Sequence, residues 1–185
     1  MTLHDILGRG GFGRVFKVWH DMQKQYLAIK IFEKDASIDN ALNEFNALKK
    51  LSHPNIIEFK HNDRTMPGGL FYTLMELLEG DNLHNYISGD LRLPIDEIYK
   101  MATQILSALV YMQEKNPPVY HRDIKPSNVL IINEEPVLTD FGLAIDYREA
   151  NSIVGTPGYV PPENHGSVQG DIFSLGKLFY SISTG

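Results

Sequence analysis

Tyr120-His121-Arg122-Asp123-Ile124-Lys125-Pro126-Ser127-Asn128 places a carboxylate, an ammonium and an amide in one short stretch of chain. Asp123 can accept a hydrogen bond, and then a proton, from an attacking hydroxyl. Lys125 can offset charge that grows on a transferring group. Asn128 can bind a metal through its amide oxygen. Pro126 stiffens the backbone between them. His121 taken alone reads as a packed structural histidine rather than a proton carrier.

Three further stretches take their meaning from this one. Asp140-Phe141-Gly142 follows the apolar residues Val137 and Leu138, 17 residues after Asp123. A carboxylate at a strand end can hold Mg²⁺; a plain turn after a strand is the alternative. Ala28-Ile29-Lys30 sets a lysine in an apolar strand. It is either an edge-strand charge that keeps a sheet soluble, or an ammonium for the α- and β-phosphates of ATP. In the second case Glu44, on the next helix, holds it, with Leu48 as an apolar anchor four residues further on the same face. Gly8-Arg9-Gly10-Gly11-Phe12-Gly13-Arg14-Val15 is a G-x-G-x-x-G-x-V pattern. Glycine lets backbone approach phosphates closely, although a flexible hairpin loop reads the same way. A dinucleotide fold needs such a pattern to open a helix, whereas Val15-Phe16-Lys17-Val18-Trp19 continues as strand.

Periodicity gives the frame around these stretches. Leu3 to Gly8, Arg14 to His20 and Tyr26 to Phe32 read as strands, with a turn over 21–25. Ala41, Leu42, Phe45 and Leu48 form a helical stripe that exits at His53-Pro54-Asn55. Ile56 to Lys60 and Leu70 to Leu77 read as two more strands around Pro67-Gly68-Gly69. After Asp81 the pattern turns helical, with Ile95, Ile98, Ala102, Ile105, Leu106 and Leu109 behind Pro94. Short strands and loops fill 119–162. Ile172, Leu175, Phe179 and Ile182 mark a last helix. Strands first and helices second predict an α+β chain of two lobes, 1–77 and 78–185, with a ligand cleft between them.

Composition narrows the functional classes. The chain has 185 residues, 43% hydrophobic and 22% charged, ordinary values for a globular domain. Its net charge of −6 gives no support to nucleic-acid binding through a basic face. Without cysteine there is no disulfide, thiolate metal site or cysteine nucleophile, which is compatible with a reducing, cytoplasmic setting. No apolar run of about 18 residues suggests a membrane segment, and no signal peptide is expected.

Taken together the stretches resemble the eukaryotic-type (Hanks-type) protein kinase family. The matching set is the Gly-rich loop, Ala28-Ile29-Lys30, Glu44, the His121-to-Asn128 loop, Asp140-Phe141-Gly142, Gly155-Thr156-Pro157, Pro162-Glu163 and Asp171. The resemblance implies a two-lobed fold, with ATP and Mg²⁺ in the cleft and a protein as substrate. It implies Asp123, Lys125, Lys30 and Glu44 as catalytic residues, and Asn128 and Asp140 as metal ligands. Gly8, Gly10 and Gly13 would cover the phosphates. Leu7, Val15, Ala28 and Leu130 would sandwich the adenine, with Met75 closing the back of its pocket. Backbone groups of Glu76 and Leu78 would hold the adenine edge, and Asp81 or Asn82 the ribose.

Lys125, two residues after Asp123, and Gly155-Thr156-Pro157-Gly158-Tyr159 resemble the Ser/Thr class, with Thr156 expected near Asp123 and Lys125. Ser152 stands where that family is often phosphorylated; it either pairs with Arg122 in that form or is an ordinary loop serine. Pro161-Pro162-Glu163 replaces the commoner Ala-Pro-Glu, and the short 163–171 link resembles some bacterial members. The family's last helices are expected to be missing, so the chain is expected to be a fragment of a longer protein, whose regulatory or sensor domains, if it has them, this sequence does not reveal. Apolar side chains left uncovered at about 1.5–3 kcal/mol each would make the isolated chain marginal. A silent pseudokinase-like module, inactive through truncation, is the competing reading. It would be expected to lose Lys30, Asp123, Asn128 or Asp140, and all four are present. A small-molecule phosphotransferase is disfavoured by the peptide-docking stretch from Gly155 to Glu163.

Overall fold

The computed structural model describes residues 1–10, 13–32, 42, 45–61, 71–88, 93–146, 155–162 and 167–184. Its first part is a five-stranded antiparallel sheet in the order β1-β2-β3-β5-β4. The strands are β1 Thr2–Gly10, β2 Gly13–His20, β3 Gln25–Phe32, β4 Phe59–His61 and β5 Tyr72–Glu76. Alternation decides which side chains face where. Leu27 and Ile29 of β3 join Val18, Tyr72 and Leu74 in a small core. Ala28, Lys30 and Phe32 face the other way and are also buried. β3 is therefore covered on both faces, in the middle of the sheet. This removes the edge-strand explanation for Lys30, which is 4% exposed.

Two of the expected strands are shorter than their apolar runs. Ile56 to Lys60 reads as one strand, yet pairing with β5 begins only at Phe59. The preceding residues are taken by another partner. Ile56 bridges Leu138, and the Ile57 amide donates to the Leu138 carbonyl at 2.9 Å. Leu138 in turn donates to the Asn55 carbonyl at 2.9 Å, and the Asn55 side chain donates to the Pro136 carbonyl at 2.8 Å. The His53-Pro54-Asn55 stretch thus ties the sheet to the second part of the molecule. Of the expected run from Leu70 to Leu77, the described residues start at Phe71, and the strand spans Tyr72–Glu76. Helical backbone covers 45–48; Glu44 and the Pro67-Gly68-Gly69 turn lie outside the described residues.

The second part is mostly helical. β6 (Asp81–Asn82) leads into α1 (Leu83–Ser88), and α2 (Ile95–Gln113) and α3 (Val168–Thr184) follow. Pro94 precedes α2, and Asp96 and Glu97 lie in its first turn, where carboxylates favour the positive end of the helix. Ile98, Met101, Ile105, Leu109 and Met112 of α2 pack with Leu175, Leu178 and Ile182 of α3 in the larger core. Apolar side chains also remain outside it, among them Ile95, Tyr99 and Val110 on α2 and Ile172 and Tyr180 on α3.

Between these helices run the short strands that carry polar groups: β7 (Val119–Tyr120), β8 (Val129–Ile132), β9 (Glu135–Leu138) and β10 (Ile145–Asp146). β8 and β9 form a hairpin closed by Asn133 and Glu134, both at positive φ (50° and 66°). That is the signature of a two-residue type I′ loop, which matches the twist of the strands and fixes their register. The register Val129↔Leu138 leaves Asn128 opposite Thr139 at the open end.

Gly80 lies where the chain passes from the sheet to β6. A Cβ there would sit 2.3 Å from the Ile131 carbonyl oxygen and 2.6 Å from Ile132 Cδ1. Because the first of these is backbone, relief requires the strand to move. Gly80→Ala is therefore expected to destabilise the fold by about 1–3 kcal/mol, read as a lower urea midpoint. An unchanged midpoint would contradict this close approach.

Candidate functional site

The centre of the site is the loop between β7 and β8. Its backbone is held from below by α3. Asp171, 2% exposed, accepts the His121 amide at 2.9 Å and the Arg122 amide at 2.8 Å, one on each carboxylate oxygen. To present successive amides to one carboxylate the chain turns sharply, and Arg122 takes φ = 68°. A side-chain-bearing residue in that region is strained and persists only where its surroundings hold it. Burial pushes the Asp171 carboxyl above its ordinary range, against the opposing pull of the Arg122 and His121 amides.

His121 is fully buried and stacks obliquely on Phe141 at 4.5 Å. Its Nδ1 accepts the Asp123 amide at 3.3 Å, and its Nε2 faces the Thr139 carbonyl at 3.1 Å. A hydrogen on Nε2 satisfies both contacts at once. The ring therefore acts as a spacer between the loop and the end of β9, the packed role expected from the sequence.

Above this base the functional groups meet. The Asp123 carboxylate receives the Thr156 hydroxyl at 2.6 Å on Oδ1. Its Oδ2 receives the Asn128 amide at 3.0 Å and lies 2.7 Å from Lys125 Nζ. Lys125 also donates to Thr156 Oγ1 at 2.7 Å. Pro126–Asn128 is a single 3₁₀ turn, which folds Asn128 back so that its Nδ2 also reaches the Asp123 carbonyl at 2.9 Å. The amide oxygen of Asn128 is left on the opposite side.

Asp140 joins from the hairpin. The Thr139 amide and hydroxyl both bond the Asn128 carbonyl, at 2.9 and 3.2 Å, so Asp140 directly follows a residue pinned to Asn128. Asp140 takes φ = 58°, a second strained turn. Its Oδ1 lies 2.6 Å from Lys30 Nζ. Burial alone pushes the Asp140 carboxyl up; the charge and hydrogen bond of Lys30, with help from the Gly142 amide, reverse this and leave it below its ordinary value. Its contribution to stability is therefore present above the ordinary carboxylate range and lost as pH falls through the depressed value. For Asp171, raised by burial, the sign is opposite.

Asp123, Lys125, Asn128, Asp140 and Lys30 thus form two linked clusters joined through Thr139. Val15 is opposite Lys30, Ala28 opposite Met75, and Asn82 opposite Leu130 in the strand registers. Gly8 pairs with Val15, and Gly10 with Gly13, at the β1–β2 hairpin, while Leu7 is 47% exposed. Glu76 and Leu78 lie at and just after the end of β5. Asn82 also serves the helix that follows it, because its Oδ1 accepts the Asn85 amide at 3.0 Å and caps α1. Glu44, Ser152 and Glu163 lie outside the described residues. Sequence reasoning placed Asp171 in the matching set but gave it no role, and it missed Thr139. The signal for Thr139 was available in the hairpin register.

Comparison with known proteins gives the family. The family profile described as "Protein kinase domain" matches residues 1–185. The chain belongs to the protein kinase family. It is 31% identical over 217 aligned positions to "Serine/threonine-protein kinase tousled-like 2" of Xenopus tropicalis, covering all of this chain and 31% of that protein. The human protein of the same name is also 31% identical, with 28% of its length covered. "Putative mitogen-activated protein kinase kinase kinase 7-like" of Drosophila melanogaster is 34% identical over 190 positions, covering 97% of this chain and 47% of that protein. The chain therefore spans 28–47% of the length of these kinase relatives.

Because Lys30 holds the Asp140 carboxyl down, Lys30→Met should move its titration to higher pH. Carboxyl ¹³C NMR reads this directly. An unchanged or lower titration would mean that the ion pair is not what sets Asp140.

Proposed function

We propose that the chain transfers the γ-phosphoryl group of ATP to a serine or threonine hydroxyl of a protein substrate. The observation that carries the reading is the arrangement around Asp123: one carboxylate, ringed by an ammonium, a hydroxyl and an amide. Phosphoryl transfer needs positioning and charge neutralisation more than covalent chemistry, and this cluster supplies both. Asp123 orients the incoming hydroxyl and accepts its proton. Lys125 sits beside it as the cation for the transferring group. The likeness to relatives named serine/threonine-protein kinases supports the Ser/Thr class.

The donor side fits the same reading. Mg²⁺ favours one or two protein oxygen ligands plus phosphates over an all-protein cage. Asn128 and Asp140, at the open end of one hairpin, have the oxygen chemistry for it, and no larger His, Cys, Asp and Glu cluster occurs among the described residues. Bound Mg²⁺–ATP supplies the phosphoryl group and offsets its charge. Lys30 and Asp140, which neutralise each other at 2.6 Å, would then each turn to the nucleotide and its metal, and Glu44 would steady Lys30. Gly8, Gly10 and Gly13 lie on the hairpin that would cover the phosphates. Leu7, Val15, Ala28, Met75 and Leu130 would enclose the adenine, and the backbone of Glu76 and Leu78 would bond its edge. Asn82, partly committed to capping α1, retains its amide nitrogen for the ribose.

A cytoplasmic setting, and regulatory or sensor segments in a longer parent protein, belong to the same proposal. So does the pairing of phospho-Ser152 with Arg122, which would order the segment from Leu143 to Pro161. The membrane question is narrower: no described helix is long and apolar enough to cross a bilayer.

Transfer of labelled γ-phosphate from ATP, to the chain itself and to a generic protein, tests this reading. Asp123→Asn keeps the size of the side chain and removes its basicity. A loss of at least about a hundredfold is expected, the usual scale for general-base catalysis. Equal transfer by the variant would remove Asp123 from this role.

A further inference from the structure

Gly155 to Val160 crosses directly over the loop that carries Asp123. A Cβ on Gly155 would lie 2.9 Å from the Arg122 carbonyl oxygen, and Gly155 takes φ = 131°. Thr156-Pro157-Gly158-Tyr159 then closes a tight turn. The Tyr159 amide donates to the Thr156 carbonyl at 3.0 Å, and Gly158 takes φ = 90°. Proline second and a positive-φ glycine third is the pattern of a type II turn, which is stiff. One end of this turn carries the hydroxyl that bonds Asp123 and Lys125. The other end is Tyr159.

Tyr159 is anchored to α3. Its carbonyl accepts the Ser174 hydroxyl at 2.6 Å, and its phenol oxygen lies 3.4 Å from Ser181 Oγ. Ser174 is 4% exposed. Its hydroxyl also faces the Gly170 carbonyl of its own helix at 2.9 Å, but the contact to Tyr159 is the shorter. Ser174 lies one helical turn after Asp171, on the same face. Asp171 grips the backbone of the loop bearing Asp123. Ser174 grips the turn bearing Thr156.

We infer that Ser174 is a positioning residue for phosphoryl transfer. One turn of α3 sets the catalytic loop through Asp171 and the substrate-side turn through Ser174, so that Thr156 meets Asp123 and Lys125 in register. This rests on the kinase reading above and adds a residue to it. Ser174 does not touch the reacting groups. It acts through the stiff turn, whose displacement at Tyr159 is carried to the Thr156 hydroxyl. The tether should matter for the protein substrate and for Asp123, and not for nucleotide binding, which draws on other elements.

Ser174→Ala should raise the peptide KM or lower kcat, cutting kcat/KM for a peptide substrate about tenfold, the scale of one lost buried hydrogen bond. The KM for ATP should stay within about twofold, by the same separation of binding from positioning. Ser174→Cys, nearly isosteric with a weak donor, gives the same split if the alanine variant fails to fold, and Ser174→Thr, which keeps the hydroxyl, should recover most of the loss. In a Thr156→Ala background the Ser174 substitution should add little, because its effect runs through Thr156. Hydrogen exchange provides a readout independent of turnover. The Tyr159 amide should exchange faster in Ser174→Ala while the His121 and Arg122 amides stay protected. Unchanged exchange at Tyr159, equal losses for ATP and peptide, or full additivity with Thr156→Ala would overturn the inference. If the wild-type chain transfers no phosphate, the kinase reading fails, and the exchange measurement still decides whether the tether exists.

Discussion

A buried carboxylate that accepts two consecutive backbone amides is the constraint on which the site depends. Asp171 cannot bond the His121 and Arg122 amides unless the chain bends through an unfavourable conformation at Arg122. That bend lifts Asp123 out of the backbone and points it toward Lys125 and Thr156. A buried charge costs several kcal/mol unless fully paired, so the two amides and Asp171 hold each other in place. Strain at Arg122 and burial of Asp171 are two sides of one arrangement.

The second constraint is the β8–β9 hairpin. Its two-residue loop fixes which residues face each other, and its open end delivers Asn128 beside Thr139 and then Asp140. Lys30 approaches from the centre of the sheet and meets Asp140 directly. Charges from the sheet and from the helical part are thereby matched across the line between them. His121 fills the space beneath, linking the Asp123 amide to the Thr139 carbonyl. Two clusters that are far apart in sequence are in this way bound to one small piece of backbone.

Much of this was legible in the sequence, for physical reasons that differ by element. The three first strands and α2 follow hydrophobic periodicity, and their ends agree with the structure to within a few residues. Residue chemistry at close spacing identified Asp123, Lys125 and Asn128, and Thr156 was expected beside them. What stayed hidden depends on contacts between distant segments. Ile56 and Ile57 look like strand residues by composition, yet β9 claims them. Lys30 had an edge-strand alternative until strand order placed it centrally. The dual use of Asn82, as cap and as candidate ribose contact, is invisible without the α1 boundary. The grip of Asp171 and Ser174 on two separate loops is tertiary geometry, which no local pattern encodes.

The central claim is that Lys30, Asn128 and Asp140 form the metal-dependent triphosphate site that faces Asp123. Calorimetric titration of the chain with ATP, with and without Mg²⁺, tests it most directly, with Asp140→Asn as the comparison. The claim requires saturable binding that is strengthened by Mg²⁺ in the natural sequence, with that strengthening lost in the variant. Binding that ignores Mg²⁺, or that gains from it equally in both proteins, would contradict it.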